Sequence, residues 1–242
     1  MKDTYRIADR IIEVDSLYPL VHDQCREYRL CGPSDFCVTV TQADIDFERE
    51  KSAREDEIEG IPVRRFSDPY LETLAVYRQI AEKMPDYDTF LFHGSAIAVA
   101  GQAYVFTAKS GTGKSTHARL WRELLGEQAV MVNDDKPLIS VREDGAAVVH
   151  GTPWDGKHRL SSSISVPLKA VCILERSAEN IIREITKAEA LPMLLQQAYR
   201  PAAPAALAKT LVLLDRLDVR FYRLCCNMDL SAAELSYNTM KG

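Results

Sequence analysis

The pattern of apolar and polar positions predicts a first part, residues 1–88, built from short elements. Within it the pattern predicts two helices and several strands: helices near 16–27 and from about 69 to 83, and strands at 5–14, 35–40 and 61–66. The mixed but mainly acidic segment 43–60 predicts a solvated strand edge and loop. We expect this part to form a small N-terminal α/β subdomain.

Residues 89–242 show a denser pattern and predict a second domain. Apolar runs at 89–101 and 102–108 predict neighbouring strands joined by a glycine turn. Apolar residues then recur at helical spacing from Ala118 until Gly126 supplies a stop. The domain therefore begins with strands that lead into a helix.

The segments that follow predict a mixed sheet. Asp144 and Gly145 between two apolar runs predict a hairpin, whereas a parallel sheet would continue with a crossover helix. Further along, the pattern predicts strands at 167–176 and 221–227 and helices at 186–199 and 203–217. Ser231 and Glu234 fit a capping box for a short terminal helix. The predicted fold class is α/β with a mixed sheet.

The loop between the predicted strand and helix has the spacing of a phosphate-binding loop, G-x-x-x-x-G-K-[ST], with Ala108 in place of the first glycine. Backbone N–H groups of such a loop surround a phosphate at the N-terminus of a helix. Lys114 would reach the β- and γ-phosphates of a nucleotide, and Ser115 would bind Mg²⁺. The remaining candidate nucleotide-binding residues, of which the last belongs to the helix, are Ser110, Gly111, Thr112, Gly113 and Thr116.

Two adjacent carboxylates follow the next apolar run, 129–133. Asp134 lies 20 residues after Lys114, which leaves room for one helix and a return strand. The strand would then deliver a carboxylate to a metal bound at the loop. Residues 133–137 also have the composition of a plain turn, so both interpretations remain open at this stage.

The segments FHGSAIAV, AKSGTGKST and VNDD together resemble the catalytic domain of HPr kinase/phosphorylase and, more distantly, ATP-dependent phosphoenolpyruvate carboxykinase, over about residues 89–175. The resemblance implies a mixed-sheet P-loop kinase core with ATP and Mg²⁺. It implies that His93 lies near the transferred phosphate and that Arg200 approaches the phosphates. The resemblance favours Asp135 as the base that takes the acceptor's proton and Asp134 as the metal-side partner; a shift of one residue in the correspondence would exchange them.

The stretch 148–158 departs from the pattern of HPr kinases, because it lacks the glutamate of their signature. Asp155 is a candidate substitute for that carboxylate. Trp154, Lys157 and His158 are candidates to line an acceptor site, and the alternative is a packed turn with one buried tryptophan.

Composition restricts the partners. A net charge of −5 and a pI of about 5.6 argue against general attraction to nucleic acid or anionic membranes. The chain has no apolar run long enough to span a bilayer, and residues 1–15 lack the apolar core of a signal peptide, so we expect a cytoplasmic protein. The six cysteines form no C-x-x-C pair and are expected to be buried, reduced thiols.

The predicted function is an ATP-dependent kinase that transfers a phosphoryl group to a hydroxyl, either a serine of a protein or peptide or a small alcohol. The alternative is a non-catalytic ATP-binding sensor, which needs a metal ligand but no base. Sequence alone leaves open the acceptor, a donor other than ATP such as pyrophosphate, a reverse phosphorylase activity, and whether the chain forms a homo-oligomer.

Overall fold

The computed structural model describes residues 1–156 and 159–242. The chain forms two compact units, Met1–Lys83 and Met84–Gly242. The sequence pattern placed this boundary after residue 88. In the described ranges, no helix is both long enough and apolar enough to cross a membrane.

The first unit contains one three-stranded sheet and three helices. Its strands are β1 (Lys2–Ile7), β2 (Arg10–Asp15) and β3 (Phe36–Thr39), and its helices are α1 (Leu20–Gln24), α2 (Gln42–Glu59) and α3 (Asp68–Lys83). β1 and β2 form an antiparallel pair, and β3 joins β2 in parallel. The strand predicted at 35–40 and the helix predicted at 69–83 are therefore confirmed. The single strand predicted at 5–14 is instead a hairpin of β1 and β2, with Ala8 and Asp9 at positive φ in its turn.

The prediction of a strand edge and loop at 43–60 is wrong, because this segment is helix α2. Its Glu, Lys, Arg and Ala residues have high helix propensity, but few apolar residues mark a helical face. Thr41 and Asp44 form a capping box at its start, and Gly60 ends it in the left-handed region with φ 69°. Arg78 of α3 donates to the buried carboxylate of Glu48 at 2.5 Å, which fixes the charged helix to its neighbour.

The strand predicted at 61–66 is also wrong, since this stretch lies outside every strand of the described chain. Arg64 in this stretch binds a side chain instead of another strand. The backbone N–H of Arg64 donates to Asp56 at 2.7 Å, and its guanidinium donates to the same carboxylate at 2.6 Å. An extended segment held in this way has no ladder of backbone hydrogen bonds.

In its described residues, the second unit contains a nine-stranded sheet and four α-helices. Its strands are β4 (Thr89–Leu91), β5 (Ser95–Val99), β6 (Gln102–Thr107), β7 (Ala129–Asn133), β8 (Leu138–Val141), β9 (Ala147–His150), β10 (Ser165–Arg176), β11 (Ile181–Ile185) and β12 (Arg220–Cys226). Its helices are α4 (Lys114–Leu125), α5 (Lys187–Gln197), α6 (Pro204–Arg216) and α7 (Leu230–Met240).

The sheet is mixed, as predicted, with the order β4-β8-β9-β10-β6-β5-β7 and with β12 between β10 and β11. The long strand β10 connects its two parts. The beginning of β10 pairs antiparallel with β9, while its later residues pair in parallel with both β6 and β12. Hydrophobic side chains cover both faces: Val105 and Ile173 belong to one core cluster, whereas Phe106 and Cys172, next to them in sequence, belong to the other.

Two smaller expectations need correction. Helix α7 begins at Leu230 with Asp229 at its N-cap, so the predicted Ser231–Glu234 capping box is wrong; Ser231 Oγ instead accepts a hydrogen bond from Asn180 at 3.1 Å. All six cysteines are free thiols, as expected, but only Cys25 and Cys172 are buried.

Candidate active site at the end of β6

One edge of the sheet brings three chain segments together. In the strand pairing Ser95 lies opposite Phe106, and Ala96 lies opposite Asn133. The carboxyl ends of β6 and β7 and the amino end of β5 therefore share this edge. The phosphate-type loop leaves from β6, the two aspartates follow β7, and His93 precedes β5.

The loop after β6 joins a strand to a helix, as the sequence predicted. Gly111 has φ 73° and Gly113 has φ 124°, which side-chain-bearing residues rarely adopt. Ala108 is fully buried and does not have a positive φ, so this position does not require glycine. The departure from the consensus is thus compatible with the backbone that the loop adopts.

Lys114 is the first residue of α4, and only 9% of it is exposed. Its ammonium group donates one long hydrogen bond, 3.4 Å, to the carbonyl of Ala108. Burial lowers the pKa of Lys114, and the carboxylates of Asp135 and Asp134 oppose part of that shift. A buried ammonium with three donors and one weak bond is suited to bind an anion at the positive end of α4.

His93 lies where the chain passes from the β4 part of the sheet to β5. Its N–H donates to Gln197 O at 2.9 Å, and its carbonyl accepts from Thr107 Oγ1 at 3.0 Å. The next residue, Gly94, donates to Asp135 O at 3.0 Å. A Cβ at Gly94 would lie 2.9 Å from the carbonyl oxygen of Phe106, so glycine is required for this close approach.

The chain turns sharply after β7, and the turn separates the two aspartates. Asn133 Oδ1 accepts the backbone N–H groups of Asp135 at 2.9 Å and of Lys136 at 2.7 Å. Asp134 is 4% exposed, and its carboxylate accepts from Ser95 Oγ at 3.0 Å. The half-buried carboxylate of Asp135 lies 3.4 Å from His93 Nε2. The two neighbours therefore occupy different surroundings.

The charges around Asp135 favour its ionised form. Burial alone would raise the pKa of Asp135, but the imidazole of His93 and the charges of Lys136 and Lys114 outweigh burial and hold the pKa below its usual value. Asp135 is consequently a carboxylate at neutral pH. A carboxylate, an imidazole and an ammonium thus meet beside the loop.

Asn133 connects this turn to the loop that follows β9, and sequence reasoning did not identify it. Its Nδ2 donates to Thr152 O, Thr152 Oγ1 and Trp154 O, at 3.2, 3.0 and 3.3 Å. A Cβ at Gly151 would lie 2.7 Å from Val132 O near the end of β7, and a Cβ at Gly156 would lie 3.5 Å from Asp134 Oδ2. The segment 151–156 is therefore packed against the aspartate turn.

The residues predicted to line an acceptor site lie in different surroundings. Trp154 is 4% exposed and forms part of the packed turn. The carboxylate of Asp155 accepts from the backbone N–H and the hydroxyl of Ser161, at 3.0 and 2.9 Å. Lys157 and His158 lie outside the residues that the structure describes. A role of these residues toward an acceptor stays a prediction.

Two arginines differ in their position relative to the loop, and the approach of Arg200 to the phosphates stays a prediction. Arg200 is exposed and forms no hydrogen bond or ion pair in the described part of the chain with Lys114, His93 or the aspartates. Arg176, at the end of β10, donates to the carbonyls of Thr112, at 3.2 Å, and of Gly111. No sequence motif marks Arg176, because its contact arises only from the parallel pairing of β10 with β6.

Replacement of Asn133 by alanine is expected to destabilise the second unit by about 2–4 kcal/mol, because several buried backbone groups lose their partner. The free energy of unfolding from urea titration, followed by fluorescence, measures the effect. Asn238→Ala on the exposed part of α7 is the matched control, with an expected change below about 0.5 kcal/mol. Equal stability of the two variants would contradict a supporting role for Asn133.

Comparisons with known proteins add a family assignment. A search of curated proteins finds no match. Among solved structures, the Hpr(Ser) kinase/phosphatase from Coxiella burnetii is similar, with a TM-score of 0.34 and 9% sequence identity over 63% of this chain and 99% of that chain. The model of the family described as SynChlorMet cassette protein ScmC matches residues 69–216, which is more than half of the sequence. On that match, the chain belongs to the ScmC family.

Proposed function

We propose that this protein is an ATP-dependent kinase that transfers the γ-phosphoryl group to a hydroxyl acceptor, either a serine of a protein or peptide or a small alcohol. One observation carries the proposal: Lys114, His93, Asp134 and Asp135 meet beside a glycine-rich loop that opens helix α4. The resemblance of the three motifs to HPr kinase/phosphorylase supports the same reaction.

The loop would hold the phosphates of ATP. Residues 110–116 contain the two positive-φ glycines and the amino end of the 12-residue helix α4. Their N–H groups and the ammonium of Lys114 are donors for phosphate oxygens. Among the described residues, that ammonium forms a single, long hydrogen bond, which leaves donors for a nucleotide.

Ser115 and Asp134 fit a magnesium ion, because hydroxyl and carboxylate oxygens are ligands that Mg²⁺ prefers. Ser115 is exposed in the first turn of α4, and Asp134 is fixed by Ser95 at the adjacent strand end. When bound, Mg²⁺ neutralises charge on the β- and γ-phosphates. Asp134 would in this arrangement act on the metal, and Asp135 on the acceptor.

Asp135 would take the proton of the acceptor hydroxyl. The hydroxyl oxygen forms a bond to the γ-phosphorus, the bond from the γ-phosphorus to the bridging oxygen breaks, and ADP leaves. His93 lies 3.4 Å from this carboxylate and can orient it or stabilise charge on the transferred group.

Incubation with γ-labelled ATP, Mg²⁺ and an extract of the host cells tests the proposal. Label in a serine-containing polypeptide or in a small alcohol supports the kinase and identifies its acceptor. Binding of Mg²⁺-ATP with slow release of label as free phosphate only would favour a nucleotide sensor instead.

His93→Ala is expected to lower turnover by about 10- to 100-fold with less than a threefold change in ATP affinity, because the ring contacts Asp135 and not the phosphate loop. Steady-state kinetics and calorimetry separate the two effects. His93→Gln keeps a donor and should recover part of the turnover. A large loss of ATP affinity in His93→Ala would show that His93 holds the nucleotide.

A further inference from the structure

A cleft lies beside the phosphate loop, and His93, Lys114, Asp134 and Asp135 are not part of its lining. It is a cleft of about 350 Å³ in the second unit, bordered by Thr112, Gly113 and Thr116 of the loop and α4. Its apolar lining comes from Leu120, Leu174, Cys226 and Met228. The volume lies in the range of about 300–1,000 Å³ that is common for small-molecule sites.

The strand order places this cleft opposite the candidate catalytic groups. Strands β6, β10 and β12 are neighbours and run parallel, so their carboxyl ends meet at one edge. The cleft uses the ends of β10 and β12, on one side of β6. His93 and the aspartates come from β5 and β7, on the other side. In open α/β sheets ligands bind outside the carboxyl ends of such strands.

The loop therefore lies between a group of charged side chains and an apolar cleft. A ligand that spans all three parts needs phosphates, which the loop and the charged side chains would contact. It also needs a flat or apolar group that fits the cleft. A nucleoside triphosphate has this composition: its γ-phosphate would face Asp135 and its base would enter the cleft.

His117 in the cleft lining has an unsatisfied buried nitrogen. It is 3% exposed, and in the described chain its Nδ1 has no hydrogen-bond partner. Ser236 Oγ donates its one proton to Ala233 O, so His117 Nε2, at 3.0 Å from that oxygen, is the donor of their bond. Nδ1 is then an acceptor, and burial lowers the pKa of His117 to about 4, which keeps the ring neutral. His117 therefore adds a neutral ring, and not a cation, to the cleft lining.

The carboxylate in the cleft lining is already paired. Among the described residues that line it, only Glu175 carries a carboxyl group, and Arg223 contacts that group at 3.1 Å. Guanine presents two adjacent N–H donors that a free carboxylate would satisfy, whereas adenine presents one amino group beside ring acceptors. The lining favours adenine.

We propose that this cleft binds the adenine ring of ATP, with Leu174 and Cys226 against the ring and Met228 at the rim; the proposal rests on the proposed function of the loop. Met228 is 75% exposed, and its thioether can cover the edge of an aromatic ring. The site would make the protein selective for adenine nucleotides over inorganic polyphosphates.

Calorimetric titration with ATP, GTP and tripolyphosphate, each with Mg²⁺, tests the inference on the full chain. We expect ATP to bind about 10- to 100-fold more tightly than tripolyphosphate, because the ring buries apolar surface. Cys226→Phe fills the cleft and should reduce ATP affinity to that of tripolyphosphate while tripolyphosphate affinity is unchanged. Cys225→Phe, at the neighbouring position of β12 and outside the lining, is the matched control and should bind like the wild type.

The outcomes separate the two proposals. Equal affinity of the wild type for ATP and tripolyphosphate, or an unchanged preference in Cys226→Phe, would overturn the adenine cleft and leave the phosphate loop in place. GTP binding as tight as ATP binding would overturn the selectivity for adenine. Failure of all three ligands to bind the wild type would overturn the proposed function and the cleft together.

Discussion

Replacement of Asp135 by asparagine is expected to reduce turnover by about 10²- to 10⁴-fold, the usual contribution of a positioned base. Asparagine keeps the shape and size of the side chain but cannot accept a proton as a carboxylate does. Mg²⁺-ATP should still bind, because Asp135 contacts His93 and not the loop backbone. Rapid-quench measurement of labelled product gives the rate, and calorimetry gives the affinity.

Asp134→Asn is the matched comparison, since it makes the same chemical change one residue away. Asp134 is buried against Ser95 and is proposed as a metal-side ligand, so we expect a higher Mg²⁺ requirement with a smaller effect at saturating Mg²⁺. Equal and small effects of both substitutions, with turnover preserved, would reduce residues 133–137 to an ordinary turn and favour the nucleotide sensor.

Replacement of Lys114 by methionine is expected to weaken ATP binding by about 10- to 100-fold, because a hydrogen bond to a charged group contributes about 1.5–3 kcal/mol. Turnover should fall with it, since the ammonium is the positive charge proposed to contact both the β- and γ-phosphates. Calorimetry with ATP measures the affinity. The fold should persist, because burial already disfavours the charged form of Lys114 and methionine is apolar and similar in length.

Lys109→Met is the control within the same loop, because Lys109 is exposed and precedes the two loop glycines. We expect nearly unchanged ATP affinity for this variant. Thermal melting of both variants without nucleotide checks that they fold. Unchanged ATP binding and turnover in Lys114→Met would contradict the assignment of residues 108–115 as a phosphate loop.

Sequence reasoning succeeded where the signal was local. The loop, the helix that ends at Gly126 and the hairpin at Asp144–Gly145 depend on residues within a few positions of one another. Glycines with positive φ and short-range hydrogen bonds specify such turns without distant partners. The roles of the loop residues themselves remain predictions.

Sequence reasoning failed where partners are distant. Helix α2 has few apolar residues, and its contact with α3 depends on Arg78, far along the chain from Glu48. Strand β11, Ile181–Ile185, was not predicted, because charged residues interrupt its short apolar pattern. Its antiparallel pairing with β12 is what identifies it as a strand. Segment 61–66 has the composition of a strand, but the backbone N–H of its Arg64 donates a hydrogen bond to the side chain of Asp56 and not to a neighbouring strand.

The sequence by itself determined the strand, loop and helix around Lys114 and the presence of two carboxylates after β7, because these depend on local spacing and backbone preference. Tertiary structure alone decided which side chains meet. Sheet pairing across tens of residues places His93 beside Asp135, Arg176 on the loop carbonyls and the ends of β10 and β12 around a cleft. The role of Asn133 could not be predicted from sequence for the same reason. Five hydrogen bonds of its side chain to described residues join the aspartate turn to the loop after β9, and only the folded sheet brings these two segments into contact.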